Sequence, residues 1–560
     1  MDALWSRQHM RGVTMHLLLL MAIATLGSLQ FGYHLASDSP LLSSPILSSP
    51  TLSSPILSSP TLSSPILSSP TLSSPILSWP AELNAPQDVI TCRKKAIPTI
   101  IRVGEWLRTT RMKADRERRA EADCISMTEA AFATISSVFT VGGLVGALAA
   151  GPLSSRAGRL FAMRVTAVFY ILGSAVETFA GSIWLMSLGR FVSGLGAGAS
   201  TVVVPLYVSE IAPPAERGLF GAMTQASINL GILLTQTLGY FLSHGGAWRW
   251  ILAIGMFIAV GQGLALFVVP ESPAWLATHG DAAKAKRTLQ LIRGDGVSIH
   301  EEVAAWTKDA AVVTSEEEGL LAQTDGPLSP VSPTLPRFKK PVHLGFLQVV
   351  RDPQTRPAIF VVVGIMVAQQ FCGINSVVMY SVSLFADLLP TSSALLTILI
   401  SVVNLAMTVA CAPLPDRLGR KTCLLVSILG QGVMSLVLAL SIVFGAKVVS
   451  AVAILLFVAF FAVGLGPVPF ILASELVGQE AVGAVQSWCL AANYTATFFV
   501  AQFFPIVNAA LNKALGGQGT VYLIFSTLAA FSAVFVFLVV PETKGRKDPE
   551  DIWARSRRLD

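Results

Sequence analysis

The chain has 560 residues, 53% of them apolar and 13% charged, where an ordinary soluble protein carries about 25% charged residues. That balance excludes a soluble globular domain and points to a membrane protein, while a net charge of +6 gives no nucleic-acid footprint. Apolar stretches lie near 15–36, 128–151, 160–181, 183–207, 219–242, 249–270, 357–384, 392–415, 422–444, 448–472, 483–507 and 519–540. Each matches the roughly 20 residues that a helix needs to cross a hydrocarbon core about 30 Å thick. Near-continuous apolarity excludes the alternating pattern of a barrel strand, so the expected fold class is an all-α membrane protein of twelve transmembrane helices.

Arg156 and Arg159 follow the second stretch, Arg417, Arg420 and Lys421 follow the eighth, and six Lys and Arg residues follow Lys544 inclusive. The positive-inside bias then places both termini in the cytoplasm. Six cysteines are too few and scattered for a metal site or a disulfide framework. Cys372, Cys411, Cys423 and Cys489 fall in or beside apolar helices and read as packing residues. Cys92 and Cys124 share the first loop of the other face, where the compartment allows a bridge.

A hydrophilic stretch at 271–356 divides the spans six and six, and the halves repeat each other. "SRAGR" at 155–159 is answered by "DRLGR" at 416–420, Glu210 of "PLYVSEIAP" by Glu475 of "PFILASELV", and Glu271 of "VVPESP" by Glu542 of "VVPETK". The domains expected from this are a first bundle at 1–270, a cytoplasmic loop at 271–356 and a second bundle at 357–560. Parallel six-helix halves about an axis along the membrane normal place a substrate site between them near the midplane. Arg156, Arg159, Glu210, Arg217 and Glu271 in one half, with Asp416, Arg417, Arg420, Glu475 and Glu542 in the other, are expected to pair as an inner gate when that side closes. Pairs at such an exposed edge contribute only about 0–1 kcal/mol each, which suits a gate that must also open.

The set "GRFVSGLGAG", "PLYVSEIAPPAERG", "PESPAWL", "QQFCGINSVVMYS", "DRLGRK" and "PETKG" resembles the sugar porter family of the major facilitator superfamily, which includes facilitative glucose transporters and fungal hexose transporters. The resemblance implies two pseudo-symmetric six-helix bundles that move a hexose or related polyol by alternating access. It implies a transporter that is not an enzyme and uses no cofactor and no metal, facilitated or coupled to protons, with a sugar or polyol and the lipid bilayer as partners. The substrate-binding positions that it implies are Gln225, Gln369, Gln370, Asn375, Tyr380, Asn404 and Asn493, with Phe470 where glucose facilitators carry tryptophan. The residues support this reading independently, because amides at mid-membrane are costly unless they face a polar cavity or another helix. Gln and Asn also both donate and accept, matching hydroxyl groups. Departures from the glucose facilitators are Ala462 for a glutamate, Tyr494 after Asn493, Ala274 in "PESPA" and Ser155 for an acidic residue; they shift the expectation from glucose toward a related polyol.

His34 stands where proton-coupled members carry an acidic residue and facilitators can carry asparagine, and it is expected to share a cavity with Arg190 in the outer halves of the first and fourth helices; the first reading of His34 is a neutral polar substitute, and the alternative is that these two are coupling residues. A rival reading is a nutrient sensor on the same fold; such sensors carry long cytoplasmic tails, and the tail after Pro541 is short. The "FGYHLA" and "ELNAPQ" arrangement resembles fungal members associated with the vacuole, so a vacuolar or plasma membrane is the expected address.

Between those two segments, proline recurs at every fifth residue from Pro40 to Pro80, which forbids a regular helix and favours an extended, solvated coil. Removing 37–80 would join the segments as the family has them, so the low-complexity Ser/Pro repeat reads as retained non-coding sequence, and the basic segment at 96–122 reads the same way. The competing reading is a Ser/Pro-rich stalk.

Overall fold

The computed structural model describes residues 14–37, 129–213, 216–242, 247–294, 297–300, 302–304, 346–378, 393–478, 481–515, 519–545 and 552–553. The repeat beyond residue 37, the basic segment at 96–122, Cys92, Cys124 and Tyr380 lie outside the described residues.

Helices stand at all twelve expected positions. In the first half these are α1 (Met15–Ala36), α2 (Glu129–Ala157), α3 (Arg159–Thr178), α4 (Ile183–Ile211), α5 (Arg217–Leu242) and α6 (Trp248–Ala265). Two short helices of the central loop follow, α7 (Pro273–Thr278) and α8 (Ala282–Arg293), then α9 (Phe346–Arg351). The second half contains α10 (Arg356–Phe371), α11 (Ser393–Cys411), the short α12 (Leu414–Leu418), α13 (Arg420–Val443), α14 (Lys447–Val463), α15 (Val468–Glu475), α16 (Val482–Leu515) and α17 (Val521–Val539). Among the described residues, ten helical segments are long and apolar enough to cross a membrane, counting α14 with α15 as one and α10 with its continuation to Val378 as one, and α11 is a shorter apolar helix. α5 is 26 residues long and carries polar residues, Asn229 and Gln236, that meet α11 of the other half.

Two expectations are refined. The stretch read as one helix over 448–472 is broken at Gly464–Pro467 into α14 and α15. The stretch read as 357–384 turns at Cys372–Gly373 and is helical again to Val378.

Within the first half α2 and α3 pack on α4, and α1 packs on α5. Within the second, α13 packs on α14 and α17, and α10 on α16. The halves meet along α2 with α16 and α5 with α11. α2 and α16 run antiparallel. Ser137 near the start of α2 donates to Gln502 far along α16 at 2.7 Å, while Gly151 near the end of α2 lies against Gly483 and Ser487 at the start of α16. Both sets of duplicated motifs therefore sit at one end of the molecule. Large apolar side chains such as Leu429, Val433, Leu436 and Leu440 of α13, and Phe531, Val534, Phe537 and Leu538 of α17, are exposed. Patches of that extent need a cover, and a bilayer supplies it.

At the motif end the duplication is one of hydrogen bonds as well as letters. Gly158 and Gly419 each take φ 101°, a conformation open to glycine and costly for other residues. Each turns the chain straight into the next helix, so α3 and α13 begin with unsatisfied N–H groups. Glu271 fills that need for α3, accepting from Arg159 N at 3.0 Å and Leu160 N at 3.1 Å. Glu542 does so for α13, accepting from Arg420 N at 2.8 Å and Lys421 N at 3.2 Å. These two carboxylates, read from the sequence as gate charges, act as helix caps, favoured by the positive end of the helix dipole.

Arg159 grips Glu210 through Nε and Nη2, the latter at 2.7 Å, and Arg420 grips Glu475 through Nε and Nη2, the latter at 2.8 Å. The arginines thus pair with glutamates of their own half. Arg420 also meets Asp416 at 2.8 Å. Arg156 is exposed, the Arg417 carbonyl accepts from Lys544 Nζ at 2.6 Å, and Arg217 opens α5. Glu210→Gln should cost about 3 kcal/mol, because Arg159 and Glu210 are 8% and 9% exposed and losing one partner strands a buried charge. Glu475→Gln should cost less, since Glu475 is 28% exposed and Asp416 remains as a partner. Thermal unfolding of the two purified variants in detergent measures the difference.

The central loop is tied to the same end. Arg293 of α8 is buried, donates to the Ile211 and Ala212 carbonyls at 2.7 and 3.2 Å, and pairs with Glu302 at 2.8 Å.

Candidate transport site

Two groups of amides lie at the interface between the halves, one bridging it and one beside it in the second half, and all are buried except the half-buried Asn493. The first begins on α5, where Gln225 Nε2 donates to Asn229 Oδ1 at 3.2 Å. Asn229 Nδ2 crosses to the other half, donating to Asn404 Oδ1 at 3.2 Å and Thr408 Oγ1 at 2.7 Å on α11. Asn404 Nδ2 donates back to Asn229 Oδ1 at 3.3 Å.

The second group belongs to the second half. Gln370 Nε2 donates to Gln369 Oε1 at 3.1 Å, and Asn493 Nδ2 donates to the same oxygen at 2.7 Å. Asn375 Nδ2 donates to Gln370 Oε1 and, at 3.2 Å, to Thr497 Oγ1. Gln369 Nε2 donates to the Leu465 carbonyl. That last bond follows from the sequence of the helix break. In an uninterrupted helix the Leu465 carbonyl would accept from the N–H four residues on, but that residue is Pro469, which has none. The freed carbonyl turns to a side chain on α10.

The break also joins the two groups. Gly466 lies beside Gln225, one residue from the carbonyl that Gln369 holds. Phe470, on α15, is half-buried and packs against the apolar cores on both sides. Ala462 is buried and brings no carboxylate to this region. Tyr494 lies against Gly143 of α2, its hydroxyl 3.3 Å from Thr201 Oγ1 of α4 and its ring edge-on to Phe31 at 6.1 Å. The tyrosine therefore contributes a contact between halves.

The expected residues Gln225, Gln369, Gln370, Asn375, Asn404 and Asn493 are thus brought together, and Tyr380 lies outside the described residues. Three partners were missed: Asn229, Thr408 and Thr497. Each stands four residues after an amide that was chosen, Gln225, Asn404 and Asn493, on the same helix face. That spacing was a readable signal.

A further polar cluster lies near the other end of the first half. Arg190 Nη1 donates to the His34 carbonyl at 2.9 Å, so the expected pair does meet. Between them the sequence reading overlooked Glu177 of α3, a carboxylate that is also fully buried.

This chain matches the family model described as sugar (and other) transporter over residues 20–550. It belongs to that family. It is similar to a probable metabolite transport protein of Saccharomyces cerevisiae, 31% identical over 552 residues that cover 98% of this chain and 97% of the relative. It is also similar to the solute carrier family 2 facilitated glucose transporter member 3 of Rattus norvegicus, 32% identical over 421 residues, 73% of this chain and 79% of that one. Among solved structures, the major facilitator superfamily proton:xylose symporter XylE bound to 6-bromo-6-deoxy-D-glucose aligns with a TM-score of 0.66 at 23% identity, covering 96% of this chain and 99% of that one. The fold is that of the major facilitator superfamily, and the family is one of membrane carriers, not enzymes. As a member of the sugar-transporter family, the chain is a multi-pass membrane transporter of sugars or related solutes.

Proposed function

We propose that this transporter carries a hexose or a related polyol by alternating access, binding it between the halves at Gln225, Gln369, Gln370, Asn375, Asn404 and Asn493, with Phe470 beside them on α15. The observation that carries this reading is the set of buried and half-buried amides at the interface, one group bridging the halves and the other beside it, meeting where Gly466 lies against Gln225. Buried amides in lipid surroundings need partners, and hydroxyls of a polyol satisfy both their donors and their acceptors. Here the amides satisfy one another, so a sugar would exchange like for like. The duplicated capped and paired ends support halves that move as units, divided at the loop 271–356, with Arg159–Glu210 and Arg420–Glu475 fixing the end of each unit. Arg156, Arg159, Arg417, Arg420 and Lys421 crowd that end and support its placement in the cytoplasm together with both termini.

Counterflow in proteoliposomes tests the substrate class. Vesicles containing the full chain and preloaded with an unlabelled sugar are expected to take up the same labelled sugar from a panel of hexoses and myo-inositol. Exchange of none of them would overturn the assignment.

A further inference from the structure

The two copies of the motif differ in one acid. Ser155 and Asp416 both stand four residues before the arginine that ends the motif, and the turns between match, with Gly158 at φ 101°, ψ 159° and Gly419 at φ 101°, ψ 154°. In the second half Arg420 Nη1 donates to the Pro415 carbonyl at 3.1 Å, and Nη2 serves both Glu475 and Asp416, each at 2.8 Å. In the first half Arg159 Nη1 donates to the Ser154 carbonyl at 3.0 Å and Nη2 to Glu210 at 2.7 Å. The place of the second acid is taken by a serine.

Ser155 is half-buried, with exposed Pro152, Arg156 and Ala157 beside it in the chain. Its Oγ donates to the Pro152 carbonyl at 3.1 Å at the exposed surface, and its carbonyl accepts from Trp275 Nε1 of α7 at 2.9 Å. The neighbouring Ser154 is buried, its Oγ turned back onto the Gly151 carbonyl at 3.1 Å. Of the two hydroxyls, the one at Ser155 is the one offered to solvent. A phosphoserine carries about −1.5 to −2 charges at neutral pH and three acceptor oxygens, and such a group orders a segment by reaching an arginine. A negative charge near the end of a helix opposes the helix dipole. The second half nevertheless holds Asp416 in this turn, close to the capping Glu542, so a guanidinium four residues on is enough to keep an acid there.

The turn also touches the contact between the halves. Gly151, one turn earlier on α2, lies so close to α16 that a Cβ on it would stand 2.6 Å from Ser487 Oγ. Tying Ser155 to Arg159 therefore stiffens the part of α2 that meets the other half at the motif end.

We propose that Ser155 is a phosphorylation site, whose phosphoryl group gives the first half the acid that Asp416 gives the second. A cytoplasmic protein kinase transfers the γ-phosphoryl group of ATP: the bond from phosphorus to the ADP oxygen breaks, a bond to Ser155 Oγ forms, and the hydroxyl proton leaves to the kinase's base. Held by Arg159, the phosphate fixes the end of α2 and slows the rearrangement of the halves. This inference rests on the reading above that places the motif end in the cytoplasm. The test begins with the full chain purified from yeast cells and read by phosphopeptide mass spectrometry, with and without phosphatase treatment. Phosphate on Ser155, and none on Ser154, is expected. The charge effect is read on full chains with phosphoserine installed at 155, with Ser155→Asp and with the neutral Ser155→Asn, by unfolding temperature in detergent and counterflow of labelled D-glucose or myo-inositol, whichever exchanges. The phosphoserine and Ser155→Asp proteins should unfold at a higher temperature than Ser155→Asn and exchange about two- to fivefold more slowly, the range that one exposed-edge ion pair allows. An unmodified Ser155, or a phosphoserine protein that unfolds and exchanges as Ser155→Asn does, would overturn the inference. An N-glycosylation acceptor appended after Asp560 separates the two readings. Its glycosylation would overturn the cytoplasmic placement and this inference with it, whereas a bare acceptor with an unmodified Ser155 overturns this inference alone. Exchange of no sugar at all would overturn the transport reading and leave the mass spectrum and the unfolding temperatures to decide this one.

Discussion

Gln369→Ala should lower sugar exchange by at least about tenfold, the equivalent of about 1.4 kcal/mol of binding. Gln369 is the node of the second amide group: its oxygen accepts from Gln370 and Asn493, and its nitrogen holds the Leu465 carbonyl. Truncation strands the buried Gln370 donor and the buried Leu465 acceptor, leaves the half-buried Asn493 amide only long contacts to Met366, and each orphaned buried group costs about 1–3 kcal/mol. The Leu465 carbonyl is the most exacting of the three, because Pro469 cannot supply the backbone N–H it lacks. The damage therefore spreads from a lost sugar contact to the shape of the break between α14 and α15, and so to Gln225 beside Gly466. Gln369→Glu separates the two effects: its carboxylate still accepts from Gln370 and Asn493 but cannot donate to Leu465. Initial rates of counterflow across sugar concentrations check both variants. Exchange by Gln369→Ala at the wild-type rate and affinity would mean that these amides only pack helices.

How much of this was readable in advance follows from what each feature asks of the chain. A bilayer imposes a length of about 20 apolar residues on every span, so the positions of the twelve helices stand in the letters. The break in the tenth span does not register in the same way, although Gly464, Pro467 and Pro469 were all visible, because an apolar stretch reports length and says nothing of continuity. Glu177 escaped for a related reason: one carboxylate in the middle of "GSAVETFAG" barely alters a long apolar run. Its meaning comes only from His34, 143 residues earlier in the chain, and from Arg190. The motif glutamates show a third limit. Their repetition singled them out, but whether a carboxylate meets a guanidinium or the N–H groups of a helix end depends on the turn at Gly158 or Gly419, which no count of charges reveals. The partner amides were legible in principle, since Asn229, Thr408 and Thr497 each follow a chosen residue at helical spacing.

Gly198→Val should destabilise the fold by about 3 kcal/mol or more. Small residues let membrane helices approach at backbone distance, and α2 and α4 use this along their crossing. Gly194 faces the Phe139 carbonyl and the Cα of Gly142, while Gly146 faces the Leu195 carbonyl. A Cβ at Gly198 would overlap the Gly143 carbonyl and stand 2.8 Å from Ala147 N. Overpacking usually costs about 1–3 kcal/mol when side chains can yield; here the obstacle is main chain on a helix held by its own hydrogen bonds, so the two helices must separate. Separation also spoils the seat of Tyr494, whose ring lies against Gly143, and with it the α2–α16 contact between the halves. The loss should therefore appear twice, in a lower unfolding temperature in detergent and in slower counterflow. Gly221→Ala is the comparison, since nothing lies within 4 Å of a Cβ there and alanine favours the helix by about 1 kcal/mol. If Gly198→Val unfolds at the temperature of Gly221→Ala, α2 and α4 are not in backbone contact and the first bundle is packed differently from the arrangement that positions Gln225, Asn229 and His34.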